Sequence, residues 1–110
     1  MQRPPEPFRI DASRGDDATV LTLHGELDLA FAGELSARLA ELRDRGEPVI
    51  LDLDQLEFID SGGLRVLLQA AQESREGEWS FRVTRGSAAV VRLLRGAGLE
   101  GRLPTVGEPG

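Results

Sequence analysis

A serine lies where its hydroxyl could either cap a helix or accept a phosphate. Ser61 belongs to the run DSGGL at residues 60–64, which follows the apolar strand pattern of residues 49–53. Apolar residues at helical spacing begin at position 64. Serine is a preferred N-cap because its oxygen accepts from an unpaired N–H of the first turn, so we predict that Ser61 caps this helix. The same N–H groups and the positive end of the helix dipole also stabilise a phosphate, which makes a regulatory switch the second interpretation.

Two glycines follow the serine, at positions where a helix normally has better helix formers. Gly62 and Gly63 carry no side chains that would shield the Ser61 hydroxyl. A modifying enzyme or a docking partner requires such access. The glycines therefore weaken the purely structural interpretation, and both interpretations stay open at this point.

Carboxylates form a second candidate site. They occur near strand ends and in the following loops, at Glu26, Asp28, Asp52, Asp54, Glu57 and Asp60. Carboxylate oxygens are ligands for divalent cations, and a cluster of them could also form an acidic docking surface. Solvated loop charge is the simplest interpretation for Asp54 and Glu57, and the alternatives stay open for the others.

The residue types that are missing exclude several chemistries. All 13 basic residues are arginine, and the chain has no lysine, cysteine or tyrosine and a single histidine, His24. A Walker A loop requires lysine, and a thiolate nucleophile or thiolate metal site requires cysteine. A Ser-His-Asp triad would have to use His24, which leaves little choice of geometry. We therefore predict that the protein is not an enzyme.

Length and net charge limit the classes of protein that remain possible. A chain of 110 residues forms one domain with a single core. The net charge is −6 and the arginines are scattered, so no basic surface for nucleic acid is visible. No apolar run reaches the length of a membrane span. These features predict a cytoplasmic protein without membrane insertion or direct nucleic-acid contact.

Hydrophobic periodicity predicts the order β-β-α-β-α-β-α, with room for a last strand. The predicted strands cover residues 8–13, 19–27, 49–53 and 79–83, with a short edge strand at 103–106, and the helices cover 30–45, 62–74 and a segment after an N-cap at Ser87. Alternating strands and helices indicate parallel pairing, and the first two strands predict an antiparallel hairpin. The expected fold class is α/β, a mixed sheet with packed helices. Residues 1–7 are expected to be a disordered lead-in, 8–106 the single domain and 107–110 a loose tail.

Side-chain alternation also predicts the core. Leu21, Leu23 and Leu27 alternate with polar residues and should face inward. Leu56, Phe58 and Ile59, between the third strand and the second helix, are expected to dock onto the sheet as loop residues. A continuous hydrophobic core under the helices is the consequence.

Three motifs in this order resemble one known family, the STAS domains. The first is GELD at residues 25–28, and the second is FIDSGGL at residues 58–64, each after a predicted strand. The third is the helical run SAAVVRLL at residues 87–94, followed by AGL at 97–99. The resemblance covers residues 18–103 and implies a STAS-like mixed sheet with packed helices.

A free-standing STAS domain of this size is similar to the bacterial anti-sigma factor antagonists. In that family the antagonist binds an anti-sigma factor, which is also an ATP-dependent serine/threonine kinase, and so frees a sigma factor. Phosphorylation of the motif serine by the kinase ends binding, and a serine phosphatase restores it. The resemblance thus implies Ser61 as the phosphoacceptor, with no cofactor and no metal. The partner-binding residues that it implies are Gly25, Glu26, Asp28, Asp60, Ser61, Gly62, Gly63 and Leu64.

The expected effect of a phosphate falls on the partner. It would add about −1.5 to −2 charge at Ser61. Asp60, Glu26 and Asp28 provide no cationic partner for that charge. We therefore expect the phosphate to repel an acidic surface of the partner while the fold survives.

One departure from the antagonist pattern supplies an alternative. The antagonists often carry a second hydroxyl residue after the phosphoacceptor, and this chain has Gly62 there. The run is thereby closer to the Asp-Thr-Gly-Gly-Leu pattern of STAS proteins in bacterial phospholipid-transport complexes. The alternative function is therefore a STAS binding subunit of such an ABC complex, and an enzyme using Ser61 or the carboxylates is the least favoured hypothesis.

Overall fold

The computed structural model describes residues 8–77, 79–99 and 101–106. The predicted lead-in at 1–7 and tail at 107–110 lie outside the described residues. The elements are β1 Arg9–Arg14, β2 Thr19–Leu27, α1 Leu29–Asp44, β3 Val49–Asp52, β4 Leu56–Ile59, α2 Ser61–Arg75, β5 Phe81–Val83 and α3 Ala88–Gly96.

Five strands form one mixed sheet. β1 and β2 are the predicted antiparallel hairpin, and β2 pairs in parallel with β3, which pairs in parallel with β5. The α/β fold class, with helices packed on a mixed sheet, is confirmed. Because β2, β4 and β5 run in the same direction and each leads into a helix, all three helices begin at the carboxyl edge of the sheet. Ligand and partner sites of parallel sheets commonly lie at this edge.

The structure contains one strand that the sequence analysis missed. β4 pairs in parallel with the end of β2, with Leu56 opposite Gly25 and Ile59 opposite Leu27. Leu56 and Ile59 are buried, while Phe58 is 39% exposed. β4 has only four residues, of which the first and last are buried, so its sequence does not show the alternation by which a strand is recognised. The expectation that this segment is a loop docked on the sheet is therefore wrong. The observed order is β-β-α-β-β-α-β-α.

The C-terminal segment adds a single bridge at the sheet edge where a short strand was expected. Val83 donates its N–H to the carbonyl of Pro104 at 2.8 Å and accepts from the N–H of Val106 at 2.8 Å. These two bonds form one parallel bridge between Val83 and Thr105. β5 itself begins at Phe81, two residues later than predicted, and Trp79 lies before it with its indole N–H donating to the Glu47 carbonyl at 2.7 Å.

The core lies between the sheet and the helices. Leu21, Leu23 and Leu27 of β2 are fully buried, as predicted from their alternation. Leu35 and Leu39 of α1 pack into the same cluster. Burial of one face of each helix against the sheet fixes where the helix N-termini stand, and these N-termini form the candidate site.

In the part of the chain that the structure describes, no helix combines the length and the hydrophobicity needed to cross a bilayer.

Candidate functional site

The first two sequence motifs meet at the carboxyl edge of the sheet. Residues 25–28 end β2 and residues 58–64 join β4 to α2. Glu26 lies opposite Phe58 in the β2–β4 register, and the N–H of Asp60 donates to the carbonyl of Leu27 at 3.1 Å. Gly25 has φ 84° beside a register shift in β2, a conformation that glycine adopts without steric cost. The strand pairing therefore brings both motifs to one place.

Asp60, not Ser61, is the N-cap of α2. Its backbone is extended, and its Oδ1 accepts from the N–H of Gly63 at 3.0 Å. The prediction that Ser61 caps the helix is wrong because the preceding carboxylate already occupies the capping position. Oδ2 of Asp60 also accepts from the N–H of Leu29 at 3.0 Å, so one carboxylate serves the N-termini of α1 and α2. Asp28 caps α1 by accepting from Ala30 N–H at 2.9 Å.

Ser61 is thereby left as the exposed first residue of α2. No hydrogen bond joins its hydroxyl to any residue that the structure describes. The hydroxyl stands at the positive end of the helix dipole, where an added anion is stabilised. Because Asp60 performs the capping, chemical change at the Ser61 oxygen removes no contact from the described fold.

The two glycines after Ser61 are explained by close packing. A Cβ on Gly63 would lie 2.8 Å from Leu27 Cγ and 2.8 Å from Ile59 Cγ1, closer than carbon atoms can approach. A Cβ on Gly62 would lie 3.1 Å from Leu29 Cδ1. Gly63 is buried, so the helix can start this close to β2 and β4 only without a side chain at this position. Gly62 is half-buried and packs tightly against the start of α1. Leu64, the last predicted site residue, is half-buried against the core.

Two open grooves meet at Ser61. One, of about 420 Å³, runs along α2 and includes Arg75 and Arg102 in its lining. The other, of about 450 Å³, lies between α1 and α2 and includes Leu29. Ser61 and Arg65 line both grooves and so form the ridge between them. The motif serine is therefore flanked by a cation on its own helix.

Sequence reasoning did not name two residues of this surface, Leu29 and Arg65. Leu29 is 76% exposed at the first position of α1 and contributes to the groove beside Ser61. It directly follows residues 25–28, so its place next to the first motif was a usable signal. Arg65 is four residues after Ser61, a spacing that places two side chains on the same face of a helix. Sequence reasoning names only acidic residues as neighbours of Ser61 and so misses this cation.

A family model described as "Mlab, STAS domain" matches residues 8–106. The chain belongs to the STAS domain family. Among its relatives is BtrV of Bordetella bronchiseptica, a candidate anti-sigma factor antagonist, with 42% identity over 70 residues. That match covers 63% of this STAS domain and 60% of BtrV. The anti-sigma-F factor antagonist RsfB of Mycobacterium tuberculosis is 27% identical over 84 residues, covering 76% of this chain and 69% of RsfB.

Solved structures agree with the family assignment. The crystal structure of an anti-sigma factor antagonist from Mycobacterium paratuberculosis superposes with a TM-score of 0.76 at 26% sequence identity. The match covers 93% of this STAS domain and 87% of the mycobacterial chain. The sheet and helices described above are therefore the STAS fold.

The other predicted carboxylates of this STAS domain either accept structural hydrogen bonds from described residues or are exposed to solvent. Asp54 Oδ1 accepts from the Thr84 hydroxyl at 2.9 Å and from Gly86 N–H at 3.1 Å, which ties the loop before α3 to the end of β3. Asp52 accepts from the N–H of Asp54 at 2.9 Å. Glu57 is exposed on β4. No group of three or more potential ligands that could hold a metal occurs in the described ranges.

His24 lies on the hairpin and not beside the motif serine in the β2 register. Its Nε2 is 3.0 Å from Asp11 Oδ2 on the neighbouring strand β1. The imidazole is therefore engaged in a cross-strand pair.

Proposed function

We propose that this STAS domain is an anti-sigma factor antagonist that is switched by phosphorylation of Ser61. In its unmodified form it binds an anti-sigma factor that is also a serine/threonine kinase, and so frees a sigma factor. The names of two sequence relatives and of one solved neighbour support this role. The observation that carries the proposal is the exposed Ser61 hydroxyl at the start of α2, which bonds to none of the described residues.

The geometry at Ser61 suits a reversible modification. A phosphate adds about −1.5 to −2 charge and three acceptor oxygens. At the first position of a helix the dipole favours such a charge by about 0.3–1 kcal/mol. Because the cap belongs to Asp60, phosphorylation leaves the two hydrogen bonds of that carboxylate intact. The fold then survives in both states, and the difference is confined to the surface.

The surface around Ser61 supplies a physical reason for partner release. Leu29 presents an exposed apolar side chain in the groove beside the serine, which a docking partner could bury. A phosphate placed next to it would have to be desolvated when a partner covers this leucine, which is unfavourable unless the partner offers a cation. Phosphorylation by the kinase then ends binding, and a serine phosphatase restores it. Because this cycle needs an ATP-dependent kinase and a sigma factor, we expect the domain to act in the cytoplasm.

A pull-down from lysate of the source organism tests the proposal. Wild type, Ser61→Ala and the control Ser36→Ala are used as baits, each with and without ATP, and partners and bait mass are read by mass spectrometry. Ser36 is also an exposed serine of the groove between the helices, so it controls for nonspecific modification. We expect all three to capture a serine kinase. ATP should add one phosphate to wild type and Ser36→Ala, and release only these two.

A second candidate is a STAS binding subunit of a phospholipid-transport ABC complex. The glycine after Ser61 favours it, because the run then resembles the Asp-Thr-Gly-Gly-Leu pattern of STAS proteins in such complexes. In that case both wild type and Ser61→Ala should retain an ABC-type ATPase in the presence of ATP, with no change in bait mass. That outcome would contradict the phosphorylation switch.

A further inference from the structure

Ser61 and Arg65 form one geometrical unit. They are the residues shared by the two grooves, and they lie four positions apart on α2. Side chains four apart on a helix have Cβ atoms about 5–6 Å from each other. An arginine side chain easily spans that distance, so its guanidinium can reach a group attached to the Ser61 oxygen.

Arg65 has no competing partner in the described structure. Arg14 pairs with Glu47, and Arg43 pairs with Glu73. Arg65 is exposed and makes no hydrogen bond or ion pair with any described residue. The nearest acidic side chain of the motif, Asp60, accepts two backbone N–H groups and faces the helix N-termini. The guanidinium is therefore available for a new anion.

We propose that Arg65 is the counter-ion of phosphorylated Ser61 and holds the phosphate along the ridge of α2. The inference rests on the proposed function, because it concerns the modified state of Ser61. Guanidinium and phosphate are matched in geometry, since two N–H groups can donate to two phosphate oxygens. An anion N-terminal to a cation at this spacing is also the favourable orientation along a helix.

The pairing has a consequence for the partner surface. Without the phosphate, Ser61 offers a hydroxyl and Arg65 a cation on the ridge, and neither side chain is paired with a described residue. Once Arg65 binds the phosphate, the guanidinium is no longer available to an acidic group of the partner. A single modification thus removes two contact groups, and both grooves are affected because these residues line both.

A titration of the phosphate tests the pairing without any kinase. Phosphoserine is incorporated at position 61 of the full chain during translation, and the second pKa of the phosphate is measured by phosphorus NMR. Wild type is compared with Arg65→Gln, Arg65→Lys and Arg75→Gln. Arg75 is the matched control because it is an exposed arginine of the same helix and groove. It lies about 21 Å from Ser61 at 1.5 Å per residue, well beyond the screening length.

A cation that binds the phosphate stabilises its dianion and lowers this pKa. We expect Arg65→Gln to raise the phosphoserine pKa by about 0.5 of a pH unit. Arg65→Lys should recover part of the shift, and Arg75→Gln should leave the value within about 0.1 of a pH unit. Circular dichroism checks that all variants remain folded.

Equal pKa values for wild type and Arg65→Gln would overturn the pairing, as would an equal effect of Arg75→Gln. Because the phosphate is installed directly, these results are independent of whether a kinase modifies Ser61. A failure of the pull-down would instead contradict the proposed function while leaving the pairing measurable.

Discussion

The carboxylate of Asp60 accepts a hydrogen bond from the backbone N–H of Leu29 at 3.0 Å, across 31 positions of the chain. Its other oxygen caps α2 at Gly63. Helix N-termini leave four N–H groups without partners inside the helix, and here one side chain satisfies a donor of each of two helices. This relation fixes the start of α1 against the start of α2, and the groove between these two helices depends on that placement.

Removal of the Asp60 carboxylate should destabilise the whole domain. Asp60→Ala deletes one N-cap and leaves the N–H of Leu29 without its acceptor, so we expect a loss of about 1–3 kcal/mol in the free energy of unfolding. Urea denaturation measures this loss. Glu34→Ala, at an exposed position of α1, is the control and should change the free energy by less than about 0.5 kcal/mol. Equal stability of the two variants would contradict the bridging role.

Replacement of each of three glycines by alanine should change the stability of the domain according to the space available for the new Cβ. Gly63→Ala should cost about 1–3 kcal/mol, because its Cβ would overlap Leu27 and Ile59 in the core. Gly62→Ala should cost less, since the exposed Leu29 side chain can move away. Gly33→Ala, with nothing within 4 Å, should stabilise α1 by about 0.5–1 kcal/mol. Thermal unfolding compares all three, and a destabilised Gly33→Ala would contradict the packing explanation.

The sequence predicted the fold because its main elements have strong periodicity. β2 alternates over nine residues, with Leu21, Leu23 and Leu27 inward, and only one register satisfies that pattern. β4 has four residues and was missed, because its pairing with β2 depends on a contact between segments about 30 positions apart. Tertiary pairing of this kind leaves little trace in local composition.

The capping error has a similar origin. Asp60 and Ser61 are adjacent, and aspartate and serine are nearly equal as N-caps. In the structure the cap is Asp60, whose carboxylate also accepts from the N–H of Leu29, a tertiary contact that the local sequence does not show. The exposure of Leu29 was also beyond the sequence pattern, because a leucine at a helix start normally suggests burial.

A permanent charge at position 61 should separate binding from folding. Ser61→Glu places a carboxylate at the first position of α2, where the helix dipole tolerates it, so the free energy of unfolding should change by less than about 0.5 kcal/mol. Affinity for the captured kinase should fall by at least about tenfold, which calorimetry would show. Ser61→Asn is the uncharged control and should bind more tightly than Ser61→Glu. Parallel losses of folding and binding in Ser61→Glu would count against the switch.

Leu29 should be an anchor of the partner interface under the proposed function. Truncation to alanine removes an exposed side chain, so the stability of the domain should stay within about 0.5 kcal/mol of wild type. Binding to the kinase should weaken by about 5–30-fold, because full burial of a leucine side chain contributes about 1.5–3 kcal/mol and alanine retains only part of it. Val106→Ala, at an exposed residue near α3, provides the comparison. The same loss of affinity in both variants would rule out an interface centred on Ser61.

Glu47 should make the stability of the domain depend on pH. The hydrogen bond from the Thr19 hydroxyl at 2.9 Å, together with attraction by Arg14, holds the pKa of Glu47 below its ordinary value of 4.5. A lowered pKa in the folded state means that this carboxylate stabilises the fold fully above pH 4.5. Its contribution disappears as the pH falls through the folded-state pKa. Glu47→Gln should therefore be less stable than wild type at pH 7, and urea denaturation at decreasing pH should show the difference narrowing below pH 4.5. Glu34→Gln, at an exposed site on α1, is the control, and its difference in stability from wild type should not depend on pH in this way. If the difference between Glu47→Gln and wild type stays constant as the pH falls, the effect of Glu47 comes from packing rather than from charge.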